Sequence, residues 1–396
     1  MNRRELLTAT AGIGVLGGVR ALGAEAKPIR IRNVDIFDIE IPFAAAELQA
    51  GLRNRFTVVH IQTEGGTSGY SFGGAPKEAL PNMRELLVGQ DVFGIEHFLR
   101  NGLLQWGGVE EALWDTIGKI ANQPVHRLLG GCNLKTVPAY VTYAWPGDKS
   151  KLKADDQVAQ AIRVKDAGFK AIKFQCMRPR AADDAAASAQ VKAATGPDFR
   201  VMADRTAHLS GSLWDYPTGL AAAKALQDAG VYWLEEPFSR DDFESPARLA
   251  REVDILITGG EGYNGLAAYR ECLTHDTYDI LQPDCRTAGG ILTLCKVAAM
   301  AEAWHKPVCP HGIHSLALAG RLQASAAFGA MYQEIAVLRA PFVPEEADAP
   351  GLKVLNSKAM YVYRDGAIEI PQAPGLGLDI NEEALARYRV SAAKGS

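Results

Sequence analysis

Four acidic residues close four successive apolar runs in the second half of the chain. Asp204 ends RVMAD (200–204), Glu235 lies in YWLEEP (232–237), Glu261 ends DILITGGE (254–261) and Asp284 ends DILQPD (279–284). Neighbours in this series are 31, 26 and 23 residues apart, each about one strand, one helix and their loops. Side chains alternate along a strand, so of the adjacent Glu235 and Glu236 one faces inward; the pattern assigns that face to Glu235 and the opposite face to Glu236. Asp204, Glu235 and Glu261 at one sheet end would repel one another unless a cation lay among them. An all-oxygen set with room for water and a chelating substrate suits Mg²⁺, with Mn²⁺ as the alternative.

The elements that must position these acids are legible from periodicity. Short strands are expected at 137–144, 171–176, 200–204, 232–237, 254–261, 279–284, 307–312 and 332–337, with alanine-rich amphipathic stretches such as 156–168 and 217–230 between most of them. Eight strands alternating with helices predict an α/β fold of the TIM-type (β/α)-barrel class, whose active sites sit at the C-terminal strand ends. An open doubly wound sheet is the alternative, but no GxGxxG follows an early strand. Before the barrel, 29–43 and 55–63 alternate as strands, EGG (64–66) turns the second into a hairpin with 67–74, and an irregular loop at 44–54 carries Arg53 and Asn54. Val109, Leu113, Ile117 and Ile120 form one helical stripe that Pro124 ends. The expected organisation is an N-terminal α+β module over 28–135, a barrel over 136–355, and a C-terminal segment, 356–396.

Composition narrows the class of partner. At 47% hydrophobic and 22% charged, the chain reads as an ordinary globular protein. Its net charge of −4 and the lack of a basic run give no reason to expect nucleic acid as a partner. The six cysteines show neither CxxC nor zinc-like spacing, and Cys176, Cys285 and Cys309 lie in apolar segments that suit buried free thiols. Residues 1–26 carry Arg3-Arg4, a weakly apolar run and the ending Ala24-Glu25-Ala26. This reads as a cleaved twin-arginine export signal, so the expected location is periplasmic, with no membrane span after cleavage and a cytoplasmic location if the signal reading fails.

The pieces ALWDTIGKIANQPVHRLLGG, VMAD, WLEEP, GGE, QPDCRTAGGI, PVCPH and IEIPQAPGLGLDI together resemble the enolase superfamily in its mandelate-racemase-like branch, from residue 28 to 390. The resemblance implies that the 28–135 module is an α+β capping domain, that the 356–396 segment returns to complete that cap, and that Asp204, Glu235 and Glu261 bind Mg²⁺. It also implies removal of a proton α to a carboxylate, stabilisation of the resulting enediolate by the metal, and a homo-oligomer.

That proton is very weakly acidic, so the chemistry needs electrostatic stabilisation and a base. His311 ends the seventh strand, 27 residues after Asp284, and neighbouring strand ends would set the Asp beside the His to orient it. His314 competes for the role or lines the pocket. The second strand departs from its relatives: where the resemblance implies Lys-x-Lys with the second lysine a base, this chain has Lys173-Phe174-Gln175, and glutamine takes no proton. Lys173 is left to neutralise the substrate carboxylate or the enediolate. Thr206 stands where a further family base would lie, with His208 nearby; Gln175, Arg205, His314 and Glu334 are the substrate-binding candidates. One clear base favours dehydration of a sugar acid (aldonate or aldarate) to a 2-keto-3-deoxy acid. The alternatives are a cycloisomerase or epimerase of a sugar acid or lactone, and, more remotely, an exported non-catalytic carbohydrate-binding protein.

Overall fold

A computed structural model of the chain describes residues 27–43, 54–143, 152–209, 213–312, 316–337, 344 and 348–390. The export-signal segment, the loop 44–53 with Arg53, and His314 lie outside the described residues.

The N-terminal part is a three-stranded antiparallel sheet of β1 (Ile31–Glu40), β2 (Arg55–Thr63) and β3 (Ser68–Phe72). β2 and β3 form the expected hairpin, with Gln62 opposite Ser68. Ile36, Val59 and Ile61 from the sheet pack against Met83 of the helix Leu80–Leu87 and Leu113 and Ile117 of the helix Gly107–Ala121, as one core. Ile39, Ile41, Val58, Tyr70 and Phe72, from the same sheet and its edge, join the larger core shared with the barrel. Burial of such side chains, about 1.5–3 kcal/mol each, fixes the sheet on the barrel rather than beside it.

The apolar stripe accounts for only half of the helix Gly107–Ala121. Glu110, Glu111 and Asp115 are also buried. Glu110 accepts the backbone N–H groups of Ile291 (2.7 Å) and Leu292 (2.9 Å), satisfying the open N-terminus of the barrel helix Ile291–Ala303. Asp115 accepts from Tyr70 N and Leu376 N, each at 2.8 Å, and from Lys119 Nζ at 2.7 Å. One helix thus ties sheet, barrel and tail together through paired buried acids.

Four strands after β3 begin the barrel: β4 (Thr136–Tyr143), β5 (Ala171–Gln175), β6 (Arg200–Asp204) and β7 (Trp233–Glu235). β8 (Leu256–Gly259) and β9 (Ile280–Leu281) follow, and the last strand, β10 (Gln333–Val337), pairs in parallel with β4. The seventh position is held by residues 307–311 through bridges Leu281↔Val308 and Asp284↔His311 rather than a full ladder. Met331 N bonds Val308 O at 3.0 Å and carries the ring on to β10. The tail does more than return to the cap. β12 (Ala367–Glu369) first pairs antiparallel onto the start of β4, with Glu369 opposite Thr136, and β11 (Tyr363–Arg364) pairs antiparallel onto β12. Beyond them Glu382 accepts from Tyr70 Oη at 2.8 Å and Arg389 bridges to Ile39.

Alternation gives the barrel two surfaces. Val141, Ile172, Val201 and Leu234 face the helices in the main core. Tyr140, Ala171, Met202, Trp233, Ile280 and Cys309 form a separate buried cluster, the interior layer of a filled barrel. Two residues further along each strand the interior turns polar: Thr142, Lys173, Asp204, Glu235, Gln282, His311 and Glu334. The apolar layer is the floor, and the chemistry stands on it.

Candidate active site

Register places the acids. Gln175 pairs with Asp204, and Asp204 with Glu235, so these three stand level on β5, β6 and β7. Glu235 pairs with Thr258, and Glu261 follows three residues later, just past β8. Lys173, one step deeper than Gln175 and 1% exposed, sends its ammonium into the group: 2.7 Å from Glu235 Oε2, 3.0 Å from Glu334 Oε1 and 3.8 Å from Asp204 Oδ2. Burial alone would lower its pKa, but Glu235 and Glu334 hold it well above the ordinary lysine value. Burial pushes Asp204 and Glu235 upward, with Glu261 repelling both. Gln282 Nε2 donates to Glu235 at 2.9 Å, and Thr206 N and Oγ1 donate to Asp204 at 2.7 and 2.6 Å.

His311 sits between carboxylates on both ring nitrogens. Nδ1 lies 3.1 Å from Asp284 Oδ2; Nε2 lies 3.0 Å from Glu261 Oε2 and 3.8 Å from Glu334 Oε2. Burial opposes its charge, but Glu261 and Glu334 raise its pKa well above the usual histidine value. The same ring holds Glu261 down to about 2 against the burial that would raise it. Asp284 also caps a helix, its Oδ1 accepting from Arg286 N and Thr287 N, each at 2.9 Å. Its orientation toward His311 is therefore fixed from behind.

Glu334 is fully buried, accepting from Thr142 Oγ1 at 2.5 Å and Gly312 N at 2.8 Å. Gln175 Oε1 is buried without a hydrogen-bond partner among the described residues, an acceptor left for a ligand. Arg205 is buried, donates from Nη1 to Cys176 O at 3.0 Å and stacks 4.6 Å from the Trp214 ring, which ties it to the strand ends around the acids. The described cysteines are all free, and Cys272 is buried alongside Cys176, Cys285 and Cys309.

One expectation is corrected. Glu236 does not turn to the opposite face, because its backbone takes a left-handed φ of 44° and breaks the strand alternation. Its carboxylate accepts from Arg240 Nε at 2.9 and 3.1 Å and lies 3.3 Å from His208 Nδ1, while Arg240 Nη2 also bonds Glu261. His208, Glu236 and Glu261 offer atoms within 4.8 Å of one another, so Glu236 stands on the rim beside Glu261. Sequence reasoning missed Arg240, Gln282 and Thr142. Alternation back from Asp284 and onward from Tyr140 would have found the last two; Arg240 lies in a loop and carries no periodic signal.

The donor set fits a hard divalent cation. Asp204, Glu235 and Glu261 offer only oxygens from three adjacent strand ends; burial first, and then the charge of Glu261, raises the pKa of Asp204 and Glu235, and a cation would relieve the second of these causes. With a histidine–aspartate pair alongside, the arrangement can polarise an acid and take a proton from it.

Comparison with known proteins agrees. Residues 156–384 match the family model described as enolase C-terminal domain-like. The chain is 28% identical to the arabinonate dehydratase of Saccharolobus solfataricus over 74% of each chain. It is also 28% identical to the 3,6-anhydro-alpha-L-galactonate cycloisomerase of Streptomyces coelicolor, over 91% of this chain and 99% of that one. The crystal structure of a racemase from Streptomyces coelicolor with bound magnesium superposes with a TM-score of 0.73 at 25% identity, covering 91% of this chain and 100% of that chain. The strand-end acids, the closed barrel and the family match together identify this chain as a member of the enolase C-terminal domain-like family, in the mandelate racemase-like part of the enolase superfamily.

Proposed function

We propose that the protein is a Mg²⁺-dependent lyase that dehydrates a sugar acid to a 2-keto-3-deoxy acid. The observation that carries this reading is His311 bridged to Asp284 beside the acids Asp204, Glu235 and Glu261. A divalent cation on those three acids, Mg²⁺ or Mn²⁺, would polarise the substrate carboxylate as a Lewis acid; magnesium is bound in the related racemase structure.

The chain's own residues do the rest. In the structure Glu261 and Glu334 hold His311 protonated, with Nε2 3.0 Å from Glu261. A cation on Glu261 would relieve that charge, and Nε2 of the neutral ring takes the α-proton while Asp284 keeps Nδ1 protonated and the ring oriented. The electron pair of the broken C–H bond forms a C=C bond as the β-carbon loses its hydroxyl. His311 then returns its proton to that hydroxyl, water departs, and the enol tautomerises to the keto acid. Lys173 balances the gathered negative charge from below, and Glu334 accepts its hydrogen bonds from buried partners that keep it ionised. Gln175, level with Asp204, offers an amide where a second base would stand, so a proton can be exchanged on one face only. This disfavours two-base racemisation and suits elimination.

A second reading, ring opening of a cyclic anhydro acid or lactone, also needs one base and is favoured by the near full-length match to a cycloisomerase. A screen of aldonic, aldaric and uronic acids with their lactones and anhydro forms tests both. Semicarbazide reports the 2-keto product, and mass spectrometry separates loss of one water (dehydration) from unchanged mass (ring opening). No keto product from any member would sink the proposal. Export by the twin-arginine route and assembly as a homo-oligomer belong to the same proposal. Among the described residues no helix is long and apolar enough to cross a membrane.

A further inference from the structure

Glu111 is a buried acid that takes no part in the chemistry of the site. It is 1% exposed, on the helix Gly107–Ala121 of the cap, and its Oε1 has no hydrogen-bond partner among the described residues. Gly107 lies one turn earlier on the same helix face, and a Cβ there would collide with Arg286 O. A Cβ on Gly320 would lie 2.6 Å from Glu111 Cδ. The carboxyl is thus wedged against the short helix Cys285–Ala288 and the helix Leu318–Phe328. Charged and titratable groups face it from each element packed there. Asp284, Cys285 and Arg286 come from the first, Arg321 from the second, Tyr361 from the tail, and Glu110 from its own helix. Among these charges Arg286 acts on it most strongly.

Arg286 is held but not satisfied. Its side chain is 19% exposed and donates no hydrogen bond among the described residues, and its Nη2 stops 4.0 Å from Asp284 Oδ2. That oxygen is the one that faces His311 Nδ1 at 3.1 Å. Asp284 has no second oxygen to offer, because Oδ1 already accepts from Arg286 N and Thr287 N. The guanidinium therefore stands between two buried carboxyls and competes with His311 for Oδ2. Closing the last ångström onto Asp284 would make a charge-assisted pair and weaken the hold of Asp284 on the ring.

We infer that Glu111 is a positioning residue for the base: its negative charge draws the Arg286 guanidinium away from Asp284 Oδ2 and leaves that oxygen to His311. Its effect on turnover rests on the acid-dehydratase reading above; the contact itself does not. Burial raises the Glu111 carboxyl to about 7, so the pull is absent in acid and develops as pH rises through about 7.

Glu111→Gln keeps the shape of the protonated acid and never acquires the charge. The test uses the full chain with Mg²⁺ and a sugar acid that the wild type dehydrates. Wild-type kcat divided by that of Glu111→Gln should rise from about 1 at pH 5.5 to about 10 at pH 8.5, with KM nearly unchanged. In an Arg286→Met background the same Glu111→Gln change should alter kcat less than about 2-fold at either pH. A ratio that is equal at both pH values, or that persists without Arg286, would mean that Glu111 serves packing alone, and the inference would fall. Arg286→Met by itself carries the same test if Glu111→Gln does not fold. Wild-type kcat relative to it should rise about 10-fold over that pH range, and a flat ratio would overturn the inference. The Nδ1 proton of His311, assigned by its loss in His311→Ala, gives a reading without turnover. At pH 8.5 its NMR resonance should lie at lower field in the wild type than in Glu111→Gln, and Arg286→Met should remove that difference. This result supports the inference even if no dehydration is found, whereas identical resonances in wild type and Glu111→Gln overturn it.

Discussion

Replacing Lys173 with methionine removes a charge while keeping most of the volume, and the structure sets the size of the effect. The ammonium is 1% exposed, 2.7 Å from Glu235 and 3.0 Å from Glu334. Two unit charges 3 Å apart attract by about 5 kcal/mol at an effective dielectric of 20, before desolvation is subtracted. Taking one partner out of such a buried group typically costs about 3–5 kcal/mol, because the remaining charges stay buried without compensation. Lys173→Met should lose that much in urea unfolding with a chelator present, followed by tryptophan fluorescence. Mg²⁺ at 100 times its dissociation constant stabilises a protein that binds it by about 2.7 kcal/mol, and at one fixed Mg²⁺ concentration the variant, with the more negative site, should gain more than the wild type. A variant within about 1 kcal/mol of wild type in chelator would show that the carboxylates do not depend on Lys173, and the charge argument would be wrong.

Three further outcomes follow from particular residues. Glu235→Gln should abolish calorimetric Mg²⁺ or Mn²⁺ binding in a folded protein, while Glu236→Gln, whose carboxylate anchors Arg240 beside Glu261 and faces His208, should weaken it about 10–100-fold; the reverse order would exchange their roles. Burial pushes the Glu111 carboxyl up from 4.5 to about 7, and its Oε1 has no hydrogen-bond partner among the described residues. The folded state then keeps a proton that the unfolded chain releases, so stability falls as pH rises from 4.5 to about 7, by on the order of 3 kcal/mol in all, and Glu111→Gln should remove that slope. Unfolding curves with parallel pH dependence in the two proteins would contradict this. Arg3→Lys/Arg4→Lys should strand the protein inside the cell with its N-terminal segment uncleaved, and mature protein outside the cytoplasm would refute the export reading.

The barrel was legible because each interior strand is a short apolar run with an acid or histidine at its end, a pattern that survives in one dimension. Register then follows, since Asp204, Glu235, Asp284 and His311 each stand two residues above an apolar residue of the floor or one alternation step beyond. Glu236 was misjudged because one left-handed φ overrides alternation, and two adjacent glutamates before a proline do not announce it. The helix Gly107–Ala121 shows the opposite failure. Glu110, Glu111 and Asp115 look like a solvent face, but tertiary contacts to Ile291, Leu292, Tyr70 and Leu376 bury Glu110 and Asp115 as acceptors. Arg240 matters through a long side chain that crosses from its loop to Glu261, and reach of that kind has no period to read. The open interior strand at 307–311 was found by its apolar pattern despite pairing only through isolated bridges.

His311, oriented by Asp284 at 3.1 Å, is the single base on which this mechanism depends. The most direct measurement is exchange of the substrate α-proton with D₂O, followed by NMR in the Mg²⁺-loaded His311→Ala protein with a substrate that the wild type turns over. Both exchange and dehydration should disappear in His311→Ala, with Asp284→Asn reduced less completely because the ring remains but loses its orientation. Continued exchange in His311→Ala would contradict the one-base mechanism and put the proton transfer on another group, on the Gln175 face of the site.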